Sequence, residues 1–281
     1  MKLVVKIFAA FASSLLVSLP SFAGIREDLE HLADPLLEGR GHAARGGVEA
    51  SFYLTRRLQQ CGYDVRYQCF PTSKGLGRNV YAVCKGNPRS EKYTLVCAHY
   101  DGLGTIDGTV YPGADANASG VAVLLYLAEE LNAGGGNFIF AALDAYSEKM
   151  AGAVAFAGLP YKLSLVVNLD TVGSTLAPPN KYRPDFLIAL GGKPFEKQLE
   201  AANAGPALRL YYDYYRSKGF TDYFYTKISD QAPFLKKGVP AVMFTSGITM
   251  NTNKAEDTAS TLDYDVLQRR AALILNWLAN L

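Results

Sequence analysis

An apolar run that stops at a histidine, followed by a glycine-rich loop and an apolar helix, is the pattern of a strand–loop–helix unit with its chemistry at the end of the strand. It occupies residues 93–120. Residues 93–98 (Tyr-Thr-Leu-Val-Cys-Ala) read as a buried strand that breaks at His99, Tyr100 and Asp101, and the loop closes with Asn117, Ala118, Ser119 and Gly120, where a helix begins. In open α/β sheets, ligands bind outside the carboxyl ends of strands, because loops from several strands converge there. His99 offers a ring nitrogen at such an end. Asp101 is placed to accept the other ring N–H and fix the tautomer.

The remaining sequence repeats this alternation. A short amphipathic helix is expected over residues 24–37, with Ile25, Leu29, Leu32 and Leu36 on one face, and a second over 46–60, with Phe52, Leu54 and Leu58 inward. Strands are expected over 63–70, 79–84, 138–143, 163–169, 186–190 and 239–244, and helices over 120–131, 150–156, 194–204, 232–237 and 264–281. Alternating elements of this kind predict a mixed, mostly parallel β-sheet covered by helices on both faces. The segment 210–225, rich in tyrosine and containing Tyr212 and Tyr214, reads either as a cleft lining or as a half-exposed strand pair.

Residues 1–23 have the composition of an export leader: Lys2 and Lys6, an apolar run over 7–19 too short to span a bilayer, and a small-x-small site at Ser21, Phe22 and Ala23. The mature chain, 24–281, is expected to be one domain without a membrane span, in the periplasm or outside the cell. The formal net charge of +2 falls to zero once Lys2 and Lys6 are removed, which argues against a nucleic-acid partner. Cys61, Cys69, Cys84 and Cys97 allow three disulfide pairings in an oxidising compartment, and Cys84 and Cys97 equally suit buried thiols.

Several ordered motifs resemble the zinc aminopeptidase family that includes bacterial leucine aminopeptidases, glutaminyl cyclases and the transferrin-receptor ectodomain. Ala98 to Gly104 follows an AHYDHLG pattern and Gly113 to Ala122 follows GADDNASGVA, while Asn168 to Gly173 resembles NLDMVG and Ser229 to Ala241 resembles SDHxPFLxxGIPA. The resemblance implies a three-layer zinc-exopeptidase-like fold with five loops at one sheet edge supplying two zinc ions and a general base.

Carried over position by position, the resemblance leaves His99 and Asp170 as retained ligand positions. Ala116 stands where the bridging aspartate is expected, Tyr146 at the general base, Ser147 at the glutamate ligand and Asn253 at the last histidine ligand. Gln231 replaces the histidine of the SDHxPF segment, and Glu148 lies one residue out of step with the glutamate pair. Zinc sites ordinarily use three or four protein ligands, so no tightly bound cofactor is expected. The alternative is an altered or mononuclear zinc site in an active peptidase, with Asp101, Asp115 or Glu148 substituting as ligand. Ser119 lies outside a G-x-S-x-G elbow, and Cys97 lies within the apolar run, so neither suggests a nucleophile. The expected protein is a non-catalytic relative that keeps the cleft for a peptide or protein ligand, with Gln231, Tyr212 and Tyr214 as candidate lining residues.

Overall fold

The structure, a computed structural model, describes residues 23–132, 134–212 and 217–281. The expected leader, all but its last residue, and Tyr214 lie outside the described residues.

The chain builds an eight-stranded sheet. Its strands are β1 (Val65–Thr72), β2 (Gly75–Lys85), β3 (Lys92–His99), β6 (Asn137–Leu143), β7 (Lys162–Leu169), β8 (Phe186–Leu190), β9 (Arg209–Tyr211) and β10 (Ala241–Thr245), with β4 (Gly104–Ile106) and β5 (Thr109–Tyr111) forming a separate hairpin. Across the sheet the order is β1-β2-β6-β3-β7-β10-β8-β9. The central strands β6, β3, β7 and β10 run parallel, so their carboxyl ends share one edge. Pairings β1–β2, β2–β6 and β8–β10 are antiparallel.

The side-chain period of two explains the coverage on both faces. On β3, Val96 and Ala98 pack into a cluster with Val123 and Leu127 of α3 (Gly120–Leu131) and Leu273 of α8 (Tyr264–Leu278). Leu95 and Cys97 point the other way, toward Phe156 of α4 (Ala151–Phe156) and Phe234 of α7 (Ala232–Leu235). Helices α1 (Ala23–Leu32), α2 (Arg45–Gln60) and α5 (Glu196–Ala202) lie with the first cluster. The mostly parallel, doubly covered sheet is the one the alternation implied.

Three details differ from the sequence expectation, and the alternatives left open for the cysteines are decided. The first helix stops at Leu32, because Pro35 cannot continue it; Asp34 caps a short 3₁₀ segment, Pro35–Arg40, leaving Leu36 82% exposed and Leu37 buried. On α2, Ala50 takes the inward place beside Leu54 and Leu58, and Phe52 lies half-exposed beneath the Arg78 guanidinium. The tyrosine-rich segment is not a strand pair. After the short β9 it forms α6 (Lys218–Lys227), whose start is capped by Ser217 accepting from the Phe220 N–H. All four cysteines are free, with Cys84 and Cys97 buried and Cys69 exposed.

Candidate functional site

The shared carboxyl edge brings the ends of β3, β6 and β7 together with the loop after β10. A cavity of about 250 Å³ lies there, lined by His99, Asp101, Ala116, Tyr146, Ser147, Asp170 and Asn253, with Leu103, Phe224, Ile228, Ile248 and Thr252 completing its walls. His99, Ala116, Ser147, Asp170 and Asn253, drawn from five loops, therefore meet in one place. A larger groove of about 750 Å³ opens at the opposite sheet edge, between the ends of α3 and α8. Its lining has no histidine and one acidic side chain, Glu130, whereas the smaller cavity gathers His99, Asp101 and Asp170.

His99 ends β3 and is 5% exposed. Its Nδ1 bonds the backbone carbonyl of Asp101 at 2.9 Å, while the Asp101 carboxylate lies 3.8 Å away. The expected carboxylate acceptor is thus replaced by the peptide oxygen of the same residue. The carboxylate instead holds the next loop, accepting from the Tyr146 N–H at 2.9 Å and from the Ser147 N–H and hydroxyl, both at 3.3 Å. Nε2 of His99 faces Asp170 Oδ1 at 3.7 Å. Burial disfavours the charged imidazole, but Asp170, followed by Asp230 and Asp101, outweighs it and holds His99 up at about 9.

Asp230 escaped the sequence reading. It is buried, and burial pushes its carboxyl up to about 7, with His99 opposing and Asp170 and Asp101 adding to the rise. The only signal was its place beside Gln231 in the Ser229-Asp230-Gln231 run. The apolar wall was read only in part: the tyrosine-rich segment offered as a cleft lining contributes Phe224, whereas Ile228 lies past its end and Ile248 falls in a loop.

Other expected residues lie elsewhere. Gln231 is fully buried away from the cavity, accepting from Asn168 Nδ2 at 2.8 Å and donating to the Tyr225 carbonyl at 2.7 Å. Tyr212 donates to Glu200 at 2.9 Å and does not line the cavity. Glu148 points outward to Lys74 Nζ at 2.9 Å and to the Ser73 hydroxyl, so the loop register keeps Ser147 at the cavity and Glu148 outside it. Asp115 turns into the protein, where one oxygen accepts from the Gly173 and Ser174 N–H groups at 2.8 and 3.1 Å. Burial, then the nearby Asp257, pushes it up to about 7 against the pull of those amides and Arg270. Neither Asp115 nor Glu148 is placed to substitute as a ligand.

The backbone behind the cavity is held in detail. The Ala116–Asn117 peptide is cis, and Asp257 accepts the N–H groups of Asp115 and Ala116 at 2.8 and 3.0 Å. Asn117 donates to the carbonyls of His99 and Leu169 and accepts from the Gly120 and Thr171 N–H groups. Thr171, β-branched and at φ 55°, is fixed by that bond and by hydroxyl contacts to the Asp170 carbonyl and Thr245. The buried Arg40 guanidinium ties the carbonyls of Leu32, Tyr100, Pro112 and Gly113 together.

The donors present do not fit a catalytic zinc centre. A methyl, a hydroxyl and an amide stand at Ala116, Ser147 and Asn253, and the Asp101 carboxylate is already spent on amide donors. Among the described residues, no group of three or more His, Cys, Asp or Glu side chains could hold a metal ion.

The parallel core, the helices on both faces and a polar cavity at the carboxyl edge define the zinc-exopeptidase-like α/β class. A match to the family described as Peptidase family M28 spans residues 79–278. The chain belongs to peptidase family M28. Its fold is similar to that of LapB from Legionella pneumophila, with a TM-score of 0.74 and 20% identity over 92% of this chain and 71% of that one. It is also similar to BSAP, a zinc aminopeptidase from Bacillus subtilis (TM-score 0.74, 12% identity, 93% and 95% covered), and to Porphyromonas gingivalis glutaminyl cyclase (0.72, 17%, 93% and 99%). Comparison with curated proteins gives no match.

Proposed function

We propose that this chain is an exported, non-catalytic member of its family, with residues 1–23 removed, which uses the cavity at the sheet edge to bind a peptide or a segment of a partner protein. The observation that carries the reading is the contrast at one cavity. Five loops converge as a two-zinc site would require, yet three of the five side chains there cannot bind zinc tightly. The general base is lost as well. Tyr146 stands at its position, and burial, followed by Asp170, Asp230 and Asp101, pushes its hydroxyl far above its usual value, so it cannot take a proton from water near neutral pH.

What remains suits recognition. The cavity has an apolar wall of Leu103, Phe224, Ile228 and Ile248 and a polar floor of His99 and Asp170, a combination that accepts a side chain while fixing its orientation. Among the described residues no helix is long and apolar enough to cross a membrane.

The deciding experiment is metal content. Protein loaded with zinc and passed through gel filtration should retain much less than one ion per chain by elemental analysis. One or two retained ions would overturn the reading in favour of an active peptidase with an altered metal site.

A further inference from the structure

We propose that Tyr146 is a positioning residue that spans the cavity and joins three of its loops, so that the walls keep their spacing. The contacts are of three kinds. Its N–H donates to Asp101 Oδ1 at 2.9 Å, on the loop after β3. Its ring lies flat on the His99 imidazole, with centroids 4.2 Å apart and planes 13° apart. Its hydroxyl donates to the Ile228 carbonyl at 2.7 Å, just past the end of α6.

The last contact matters most for shape. Phe224 and Ile228 form the apolar wall, and the Ser229 hydroxyl donates to the Phe224 carbonyl at 3.0 Å, closing that end of α6. Tyr146 is the link from this wall to the His99 floor. Its own loop is anchored on either side: Asp144 bonds His42 and the Arg78 N–H, and Glu148 bonds Lys74. A tyrosine held so firmly at its backbone can transmit position through its ring and hydroxyl. The role holds whether or not the cavity takes a peptide, so it stands or falls apart from the proposed function.

Two variants of the full chain separate this role from simple space-filling. Tyr146→Phe keeps the ring on His99 and removes only the bond to Ile228, whereas Tyr146→Leu removes both. Hydrogen exchange read by mass spectrometry should quicken in residues 224–231 of Tyr146→Phe by ~5-fold, the effect of losing one hydrogen bond, with α8 unchanged. The chain has only three histidines, so isotope-labelled histidine makes the His99 ring directly observable by NMR. Its signals should stay in place in Tyr146→Phe and lose their ring-current shift in Tyr146→Leu. His31, stacked on Tyr53 and remote from this loop, serves as the unmoved control. Unchanged exchange at 224–231 in Tyr146→Phe would overturn the proposal, as would a uniform rise extending into α8. Should Tyr146→Leu fail to fold, the Tyr146→Phe exchange decides alone.

Discussion

The loops around the cavity have two sides of opposite character. The side facing the interior is dense with polar contacts: Asn117 makes four hydrogen bonds, Asp257 holds two amides, and Arg40 gathers four carbonyls. The side facing the cavity presents a methyl at Ala116, a hydroxyl at Ser147 and an amide at Asn253. The difference teaches where the loop conformation comes from. Buried backbone groups must be satisfied, and the interior side satisfies most of them, with Asp101 and Tyr146 adding bonds from the cavity rather than any of the three exchanged ligand positions. Ligand side chains can then be exchanged on the outer side while the loops stay where they are.

The largest expected effect lies on the cavity side and concerns turnover. On the proposed reading the general base, whose loss alone costs about 10²–10⁴-fold in rate, and the bridging carboxylate are both missing. Hydrolysis of aminoacyl-anilides should be undetectable with zinc, cobalt or manganese added. Turnover that disappears in His99→Ala or Asp170→Ala would break the contrast between the two sides.

Stability should respond mainly to the interior side. Asp257→Ala strands the amides of Asp115 and Ala116, at a cost of roughly 1–3 kcal/mol for each buried group left unpaired. Urea unfolding should show this as a lower midpoint. If the cost were absent, the interior network would not be what holds the loop.

Rebuilding the cavity side would sharpen the comparison. The variant carrying Ala116→Asp, Tyr146→Glu, Ser147→Glu and Asn253→His should gain zinc-dependent thermal stability, about 2.7 kcal/mol at a free zinc concentration 100 times its Kd, while the unmodified chain gains little. Calorimetric scans with and without zinc test this, and equal responses would mean that the loops are not poised for ligands.

A further test uses pH. The Asp115 carboxyl is raised in the folded state to about 7, above its unfolded value, so its contribution to stability is full in acid and is lost as pH rises through about 7. Asp115→Asn should therefore flatten the stability profile between about pH 4 and 7 and be the more stable form above that window. Denaturant melts across the range give the answer, and parallel profiles would contradict it. The smallest effect is expected at Ser147→Ala, within about 0.5 kcal/mol of the parent, as for surface positions generally. A cost above that range would show that the outer side also carries structure.

The sheet was legible because its strands are apolar runs bounded by turn residues, and the parallel core followed from their alternation with helices. The loops were legible through motifs: the register that puts Ser147 inward and Glu148 outward could be set from the flanking Asp144 and Gly152. What was not legible depended on contacts distant in sequence. Tyrosines favour strands locally, so residues 210–225 suggested a cleft lining or a strand pair but gave no hint that Ser217 starts a helix. Leu36 and Phe52 fit a helical stripe by spacing alone, but Pro35 ends one helix early and Arg78 covers Phe52 from outside. Gln231 and Asp230 are adjacent in sequence, and neither lines the cavity. Gln231 is tied to Asn168 and Tyr225, whereas Asp230 acts on His99 by its charge.

Asn117 also bears on how long the native state lasts. Its partners His99, Leu169 and Thr171 are 18, 52 and 54 positions away along the chain, so its bonds exist only after β3, β7 and the start of α3 have assembled. We expect contacts of this range at the rim of the sheet to lie on the native side of the folding barrier. Asn117→Ala should accordingly speed unfolding and leave the refolding rate nearly unchanged, a shift confined to the unfolding limb of the chevron. The side chain that shapes the cavity would then also govern the lifetime of the folded chain.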